Sequence, residues 1–178
     1  MNKLYLNWKT IDQYCNKLAI QILKSEWKPD YIVGIGRGGL VPAVILSHIL
    51  EVPMHSLKVT LRDGAEEDCD HNCWMAEDAM GYVTDRELIK SRWDSQFQKN
   101  ILIIDDINDS GSTFAWIKED WRSSCLPNEL VWDKVWHKNV RFSTLINNLS
   151  SKETTDYSSL EINKSEDDVW IVFPWEQE

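Results

Sequence analysis

Apolar positions along the chain follow two rhythms, one helical and one of short continuous runs. Ile11, Tyr14, Cys15, Leu18, Ala19, Ile22 and Leu23 recur at the spacing of a single helix face, and the pattern stops at Pro29. An amphipathic first helix is expected there. YIVGI, 31–35, is a β-branched run suited to a buried strand. GRGGL follows it, and a second apolar helix is expected from about Val41 to Leu50, with Pro42 in the first turn, where no amide hydrogen is needed. MHSLKVTL, 54–61, reads as the next strand.

The stretch from Arg62 to Asn100 contains a helical piece placed at Val83 to Trp93 but is too polar to be expected in the core. ILIID, 101–105, is again a buried strand, and Ser112 to Ser123 a helix carrying Phe114, Trp116, Ile117 and Trp121. Strand, loop and helix thus recur twice, which argues for an α/β fold with a parallel sheet. VRFSTLI, 140–146, DYSSLEI, 156–162, and VWIVF, 169–173, are short strands without an intervening helix. They are expected to extend the sheet or to form a small cap beside it.

Composition narrows the picture. A chain of 178 residues suits one domain able to bury a core unaided. The apolar share of 43% is ordinary, but ten tryptophans are many. Some are expected to stack on a ligand, while Trp116, Trp121, Trp132 and Trp136 are assigned to packing. With 29 acidic and 19 basic residues the net charge is -10, which disfavours nucleic acid and anionic membranes as partners. The N-terminus lacks an apolar core of signal-peptide length, and no run approaches the roughly 20 residues of a membrane span. A cytoplasmic location is the expectation.

Cys15, Cys69, Cys73 and Cys125 are scattered, which suits free thiols in a reducing compartment. Cys69, His71 and Cys73 in CDHNC have a spacing a metal could use, but no fourth ligand is evident and a mobile loop is preferred.

Candidate chemistry gathers in two loops. GIGRGG, 34–39, matches GxGxxG, yet a dinucleotide site needs an acidic residue at the end of the second strand, and that strand ends in Thr60, Leu61 and Arg62. Gly36, Arg37, Gly38 and Gly39 instead suit an anion-binding turn of bare amides and one guanidinium. In DDINDSGST, Asp105 and Asp106 can accept hydrogen bonds from vicinal sugar hydroxyls or reach a hydrated magnesium ion. Asp109, Ser110, Gly111, Ser112 and Thr113 follow at the start of a helix, where amides and hydroxyls can surround a phosphate. One end for phosphate and one for hydroxyls outline a ribose 5-phosphate.

ILIIDDINDSGST closely resembles the phosphoribosyl diphosphate-binding motif of type I phosphoribosyltransferases. GRGGLVP resembles that family's diphosphate loop, and DVWIVFPWE the C-terminal base-binding segment of the xanthine-guanine and hypoxanthine enzymes, especially short microbial or phage ones.

The resemblance implies a Rossmann-like parallel sheet flanked by helices with a small hood from the C-terminal strands, residues 147–178 forming the base-binding tail. It also implies a magnesium-dependent enzyme that joins a 6-oxopurine to phosphoribosyl diphosphate and assembles as a homodimer or higher homo-oligomer. Carried over, Asp105 and Asp106 would hold the ribose hydroxyls and magnesium, and Asp109 to Thr113 the 5-phosphate. Asp109 would also lie near the purine N7 as general acid or base. Arg37 with its glycines, helped by Lys58, would bind the departing diphosphate. Trp170 would stack on the base beside Ile171.

In that family a lysine after the strand equivalent to 140–146 contacts the purine 6-oxo group, and Asn148 falls there, making xanthine less secure than hypoxanthine or guanine. The segment 62–99, with Arg62, is read as a lid or an insertion. Two rivals share the loops: a regulatory protein that senses phosphoribosyl diphosphate, and a transferase acting on another base.

Overall fold

Successive residues of two neighbouring strands point into two different cores, and this alternation organises the molecule. The computed structural model describes residues 2–61, 69–85, 90–126 and 130–176. In order these form β1 (Asn2–Tyr5), α1 (Trp8–Lys24), β2 (Tyr31–Gly36), α2 (Leu40–Leu50), β3 (Met54–Lys58), α3 (Cys73–Met80), β4 (Tyr82–Asp85) and β5 (Lys90–Trp93). They continue as β6 (Ile101–Asn108), α4 (Ser112–Ser124), β7 (Val140–Asn148), β8 (Tyr157–Ile162) and β9 (Val169–Val172).

Five strands pair in the order β3-β2-β6-β7-β8, every pair parallel. Tyr31, Val33 and Ile35 of β2, with Ile101 and Ile103 of β6, face a core shared with α3 and α4. Ile32, Leu102 and Ile104 face the opposite core, shared with α1 and α2. Burial on both faces accounts for the continuous apolar runs YIVGI and ILII.

Helix α1 starts where Asn7 Oδ1 accepts the Thr10 amide at 2.9 Å, which satisfies a donor the first turn leaves unpaired. Its buried face is Ile11, Cys15, Leu18, Ala19 and Ile22, whereas Leu23 is exposed. Beneath α4, Trp121, Trp132 and Trp136 pack ring against ring with centroids 5.4–6.1 Å apart. Their packing role agrees with the sequence expectation.

Three expectations change. The helix placed at Val83–Trp93 is an antiparallel hairpin, with Tyr82 opposite Trp93 and their rings 4.7 Å apart. Cross-strand aromatic packing outweighs the local helical pattern. The polar segment contributes to the core after all, because α3 buries Met75, Ala76, Ala79 and Met80 on one face and stops at Gly81 in the left-handed conformation. The cysteines are not all free: Cys73 at the start of α3 is bonded to Cys125 just past α4, while Cys15 and Cys69 are free. CDHNC does not converge either, since His71 Nδ1 lies 2.6 Å from Asp120 and Cys73 is in the disulfide. Arg62 and residues 63–68 and 86–89 of the supposed lid lie outside the described residues.

The tail does both things expected of it. Strands β7 and β8 extend the sheet, while β9 leaves it to pair in parallel with β1, an N-terminal strand that the sequence pattern did not reveal. Among the described residues no helix is long and apolar enough to cross a membrane.

Candidate active site

The chain runs from β2 out to β3 and then returns to the other side of β2 with β6, so β2 and β6 are neighbours from which the connections leave in opposite directions. A crevice opens at the carboxyl ends of strands at such a switch point. The two loops singled out in the sequence both emerge there.

The turn after β2 lies directly on the carboxylates in the last half of β6. A Cβ at Gly38 would overlap the Asp106 carboxylate, and one at Gly39 would meet the backbone of Ile104, Ile35 and Asp105. Only bare backbone fits between these loops. Arg37 is exposed at the same turn, and Lys58 is brought alongside because it pairs in register with Gly36. Asp70 joins this edge by accepting the Lys58 amide at 3.0 Å.

Asp105 and Asp106 are held partly by their own backbone. The Asp106 amide donates to Asp105 Oδ1 at 2.9 Å, and the Ile107 amide to Asp106 Oδ1 at 2.8 Å. Burial, and then the charge of Asp106, push the Asp105 carboxyl well above the ordinary carboxylate range. Burial also raises Asp106, opposed by hydrogen bonds from Asp105 and the Ile107 amide, with Glu176 pushing it further up. A pair strained by desolvation and like charge is relieved by a cation or by hydroxyl donors.

A stability prediction follows from the sign of that shift. A carboxyl whose folded pKa lies above its unfolded value of about 3.9 binds more protons when folded, so stability falls as pH rises through that window and stays lowered above it. Asp105→Asn should therefore stabilise the ligand-free protein at pH 7 by about 1 kcal/mol, raising Tm by about 2–4 °C. The gain should vanish as pH falls to about 4. Thermal melts of both proteins at the two pH values check this; a lower Tm at pH 7 would contradict it.

Past Asn108 the chain turns through Ser110 into α4, capped by Gly111 at φ 85°. Ser110 and Ser112 hydroxyls lie 2.8 Å apart, and the amides of the first turn of α4 point out of its N-terminus, as they do in any helix. The loop after β7 braces this turn: the Lys152 amide donates to the Ser110 carbonyl at 3.2 Å, and buried Asn108 donates to the Glu153 carbonyl at 2.7 Å. Lys118 of α4 completes the brace through a 2.6 Å pair with Glu153. The arrangement can receive an anion at the helix start.

On the far side, Asp109 meets residues from two later segments. Asn148 is buried, and its Nδ2 donates to the Asp109 carbonyl at 3.0 Å and to Oδ1 at 3.3 Å. Lys164, in the loop between β8 and β9, places Nζ 2.8 Å from Asp109 Oδ2 and 5.8 Å from the centre of the Trp170 ring. Trp170 is 48% exposed, whereas its neighbour Ile171 is buried among α1-side core residues. The Ile171 side chain therefore belongs to packing, and its backbone pairs with Leu4 of β1. Lys164 went unnoticed in the sequence, because a lysine in a polar loop six positions before Trp170 carries no motif.

Comparison with known proteins adds an independent finding. Residues 2–178 match the model of the phosphoribosyl transferase domain family. The chain is 20% identical to xanthine phosphoribosyltransferase 1 of Saccharomyces cerevisiae, over 99% of this chain and 90% of that protein. It is 23% identical to hypoxanthine-guanine phosphoribosyltransferase of Schizosaccharomyces pombe, over 98% and 89%. Among solved structures it is similar to a purine phosphoribosyltransferase from Pyrococcus horikoshii, with a TM-score of 0.63 and 26% identity over 100% of this chain and 96% of that one.

Proposed function

This chain belongs to the phosphoribosyl transferase domain family, and from that premise we propose that it joins a 6-oxopurine to phosphoribosyl diphosphate in purine salvage. The products are a nucleoside monophosphate and diphosphate. The observation that carries the reading is the contact of the Gly36–Gly39 turn with Asp106 beside the N-terminus of α4. Those two anion-receiving ends flank a carboxylate pair, and a ribose with phosphate at one end and diphosphate at the other fits that order. The names of the similar proteins, which specify xanthine, hypoxanthine and guanine, support the choice of base class.

Each group then has a task. Gly36, Gly38, Gly39 and Arg37, with Lys58 alongside, receive the diphosphate, while Ser110, Gly111, Ser112 and Thr113 hold the 5-phosphate. Asp105 and Asp106 accept the ribose hydroxyls. Their oxygens also suit magnesium, which commonly binds through one or two carboxylates together with substrate phosphates. When bound, it would offset the negative charge growing on the diphosphate.

In the reaction the bond from the anomeric carbon to the diphosphate oxygen breaks and a bond from that carbon to the purine nitrogen forms. Positive charge grows on the ribose and negative charge on the leaving group, so donors and carboxylates fixed in advance at opposite ends lower the barrier. Asp109 faces the base and manages its proton. Trp170 offers its exposed ring to the face of the purine.

Trp170→Ala should raise the KM for the base about 10- to 100-fold, the scale of one base–aromatic stack, with phosphoribosyl diphosphate affinity nearly unchanged. Steady-state kinetics at saturating phosphoribosyl diphosphate check this, and an unchanged base KM would remove the stacking role. The site itself is tested by calorimetric titration with phosphoribosyl diphosphate and magnesium. Saturable binding should disappear in an Asp105→Asn, Asp106→Asn double variant; undiminished binding by that variant would overturn the assignment of the pair.

A further inference from the structure

Four titratable side chains lie in a row behind the turn that begins α4. Glu153 Oε2 meets Lys118 Nζ at 2.6 Å, Lys118 Nζ meets His137 Nε2 at 3.3 Å, and His137 Nδ1 meets Asp156 Oδ2 at 3.1 Å. The row starts and ends on the loop between β7 and β8, crossing α4 and the turn before β7 on the way. Its one long cation sits in an apolar setting. The Lys118 side chain is 22% exposed, and its ammonium lies 5.2 Å from the centre of the Phe142 ring and 6.0 Å from that of Trp136. Aromatic faces attract a cation, but its hydrogens still need acceptors. Glu153 supplies one and His137 another.

The protonation state of His137 follows from these partners. Asp156 Oδ2 accepts the Phe142 amide at 2.7 Å and accepts from Nδ1 as well. An ammonium can only donate, so Nε2 has to offer Lys118 a lone pair. Nδ1 then carries the hydrogen and the imidazole is neutral. A second proton would set N–H against N–H between two cations and break the row at Lys118.

What the β7–β8 loop touches gives the row its importance. The Glu153 carbonyl accepts from Asn108 Nδ2 at 2.7 Å, and the Lys152 amide donates to the Ser110 carbonyl at 3.2 Å. A Cβ on Gly111 would come within 2.7 Å of the Glu153 amide and 2.8 Å of Ser151 Oγ, so loop and turn are in contact with no space between them. A shift of Glu153 is therefore a shift of the backbone against which Ser110 and Gly111 are set.

We propose, resting on the transferase reading above, that Lys118 and His137 are positioning residues for the 5-phosphate turn, and that the turn is set for phosphate only while His137 is neutral. Neutral His137 keeps Lys118 seated between itself and Glu153, which pins the β7–β8 loop against Ser110 and Gly111. Proton uptake repels the ammonium from its seat, slackens the loop and weakens the hold on phosphate. Among the described residues the charged groups that meet His137 are Lys118 from α4 and Asp156 from the β7–β8 loop, with Glu153 one step further through Lys118. From β7 it meets the uncharged Phe142 ring, 5.7 Å away.

The probe is ribose 5-phosphate, titrated by calorimetry into wild type, His137→Asn and Lys118→Met between about pH 5 and 8, the range in which imidazoles change charge. Asparagine tolerates the left-handed backbone of His137, at φ 60°, and can donate to Asp156 without titrating. The phosphate of the probe titrates in the same range, so the readout is wild type divided by variant at each pH, in which that titration cancels. From the alkaline to the acid end, wild-type affinity should fall about 2- to 30-fold more than that of His137→Asn, the span over which side-chain networks couple sites. Lys118→Met should bind more weakly than wild type at the alkaline end and lose the excess pH dependence. Binding of magnesium diphosphate, at the opposite end of the site, should stay within about twofold in both variants, as for independent positions.

Parallel pH profiles for wild type and both variants would overturn the role of His137. Tighter wild-type binding at the acid end, relative to His137→Asn, would also overturn it, because a protonated His137 would then be attracting the phosphate directly. Equal loss of ribose 5-phosphate and diphosphate in Lys118→Met would mean a general loosening and remove the positioning role. Should Lys118→Met fail to fold, the profile of His137→Asn decides alone. Absence of ribose 5-phosphate binding by wild type would defeat the 5-phosphate assignment within the transferase reading, an outcome distinct from binding with parallel profiles.

Discussion

Asp109→Asn should lower kcat about 10²- to 10⁴-fold, the range of a positioned general acid or base, while phosphoribosyl diphosphate affinity changes by no more than a few-fold. Asparagine keeps the shape of the side chain but cannot take up a proton. The loop should stay in place, because the bond from the Asn148 side chain, through Nδ2, goes to the Asp109 carbonyl at 3.0 Å and does not use the Asp109 side chain. The pair with Lys164 is lost, yet with Asp109 half exposed it contributes on the order of 0–1 kcal/mol to stability. Single-turnover kinetics beside a phosphoribosyl diphosphate titration separate chemistry from binding. Wild-type turnover in the variant would end the proposed role of this carboxylate.

The second large effect comes from the fold rather than from the chemistry. Gly39→Ala should destabilise the protein by about 3 kcal/mol or more and abolish tight binding of phosphoribosyl diphosphate. The added Cβ would meet the Ile104 and Ile35 carbonyls and the Asp105 Cα, all backbone atoms of the two strands carrying the site. None of these can rotate away as a side chain would. Relief requires β2 and β6 to separate at their carboxyl ends, which would also pull the anion-binding turn off the aspartates. Urea denaturation measures the loss, and a midpoint equal to wild type would show that the loops are looser than their packing indicates.

How much of this was legible in the sequence depended on whether a signal was local. β2 and β6 announced themselves because strands buried on both faces must be apolar at every position, and the glycines and aspartates followed them directly. Helix α3 was hidden because its apolar face is only Met75, Ala76, Ala79 and Met80 within a polar stretch. The β4–β5 hairpin contains residues acceptable in a helix, and the packing of Tyr82 on Trp93 exists only after the chain has turned back.

Long-range contacts were the least visible. Cys73 and Cys125 are 52 positions apart, and pairing over such a distance cannot be deduced from spacing. Lys164 reaches Asp109 from 55 positions away. The motif located Asp109, but only the folded loop between β8 and β9 reveals the cation beside it.

The most direct measurement is diphosphate release from phosphoribosyl diphosphate and magnesium with guanine, hypoxanthine, xanthine, adenine and uracil supplied separately, each product nucleotide being identified. The account predicts release coupled one to one with nucleotide for at least one 6-oxopurine, and little or none for adenine and uracil. Tight binding of phosphoribosyl diphosphate without turnover on any base would contradict it and make the chain a sensor of that metabolite. Turnover with uracil alone would contradict it in favour of a different base.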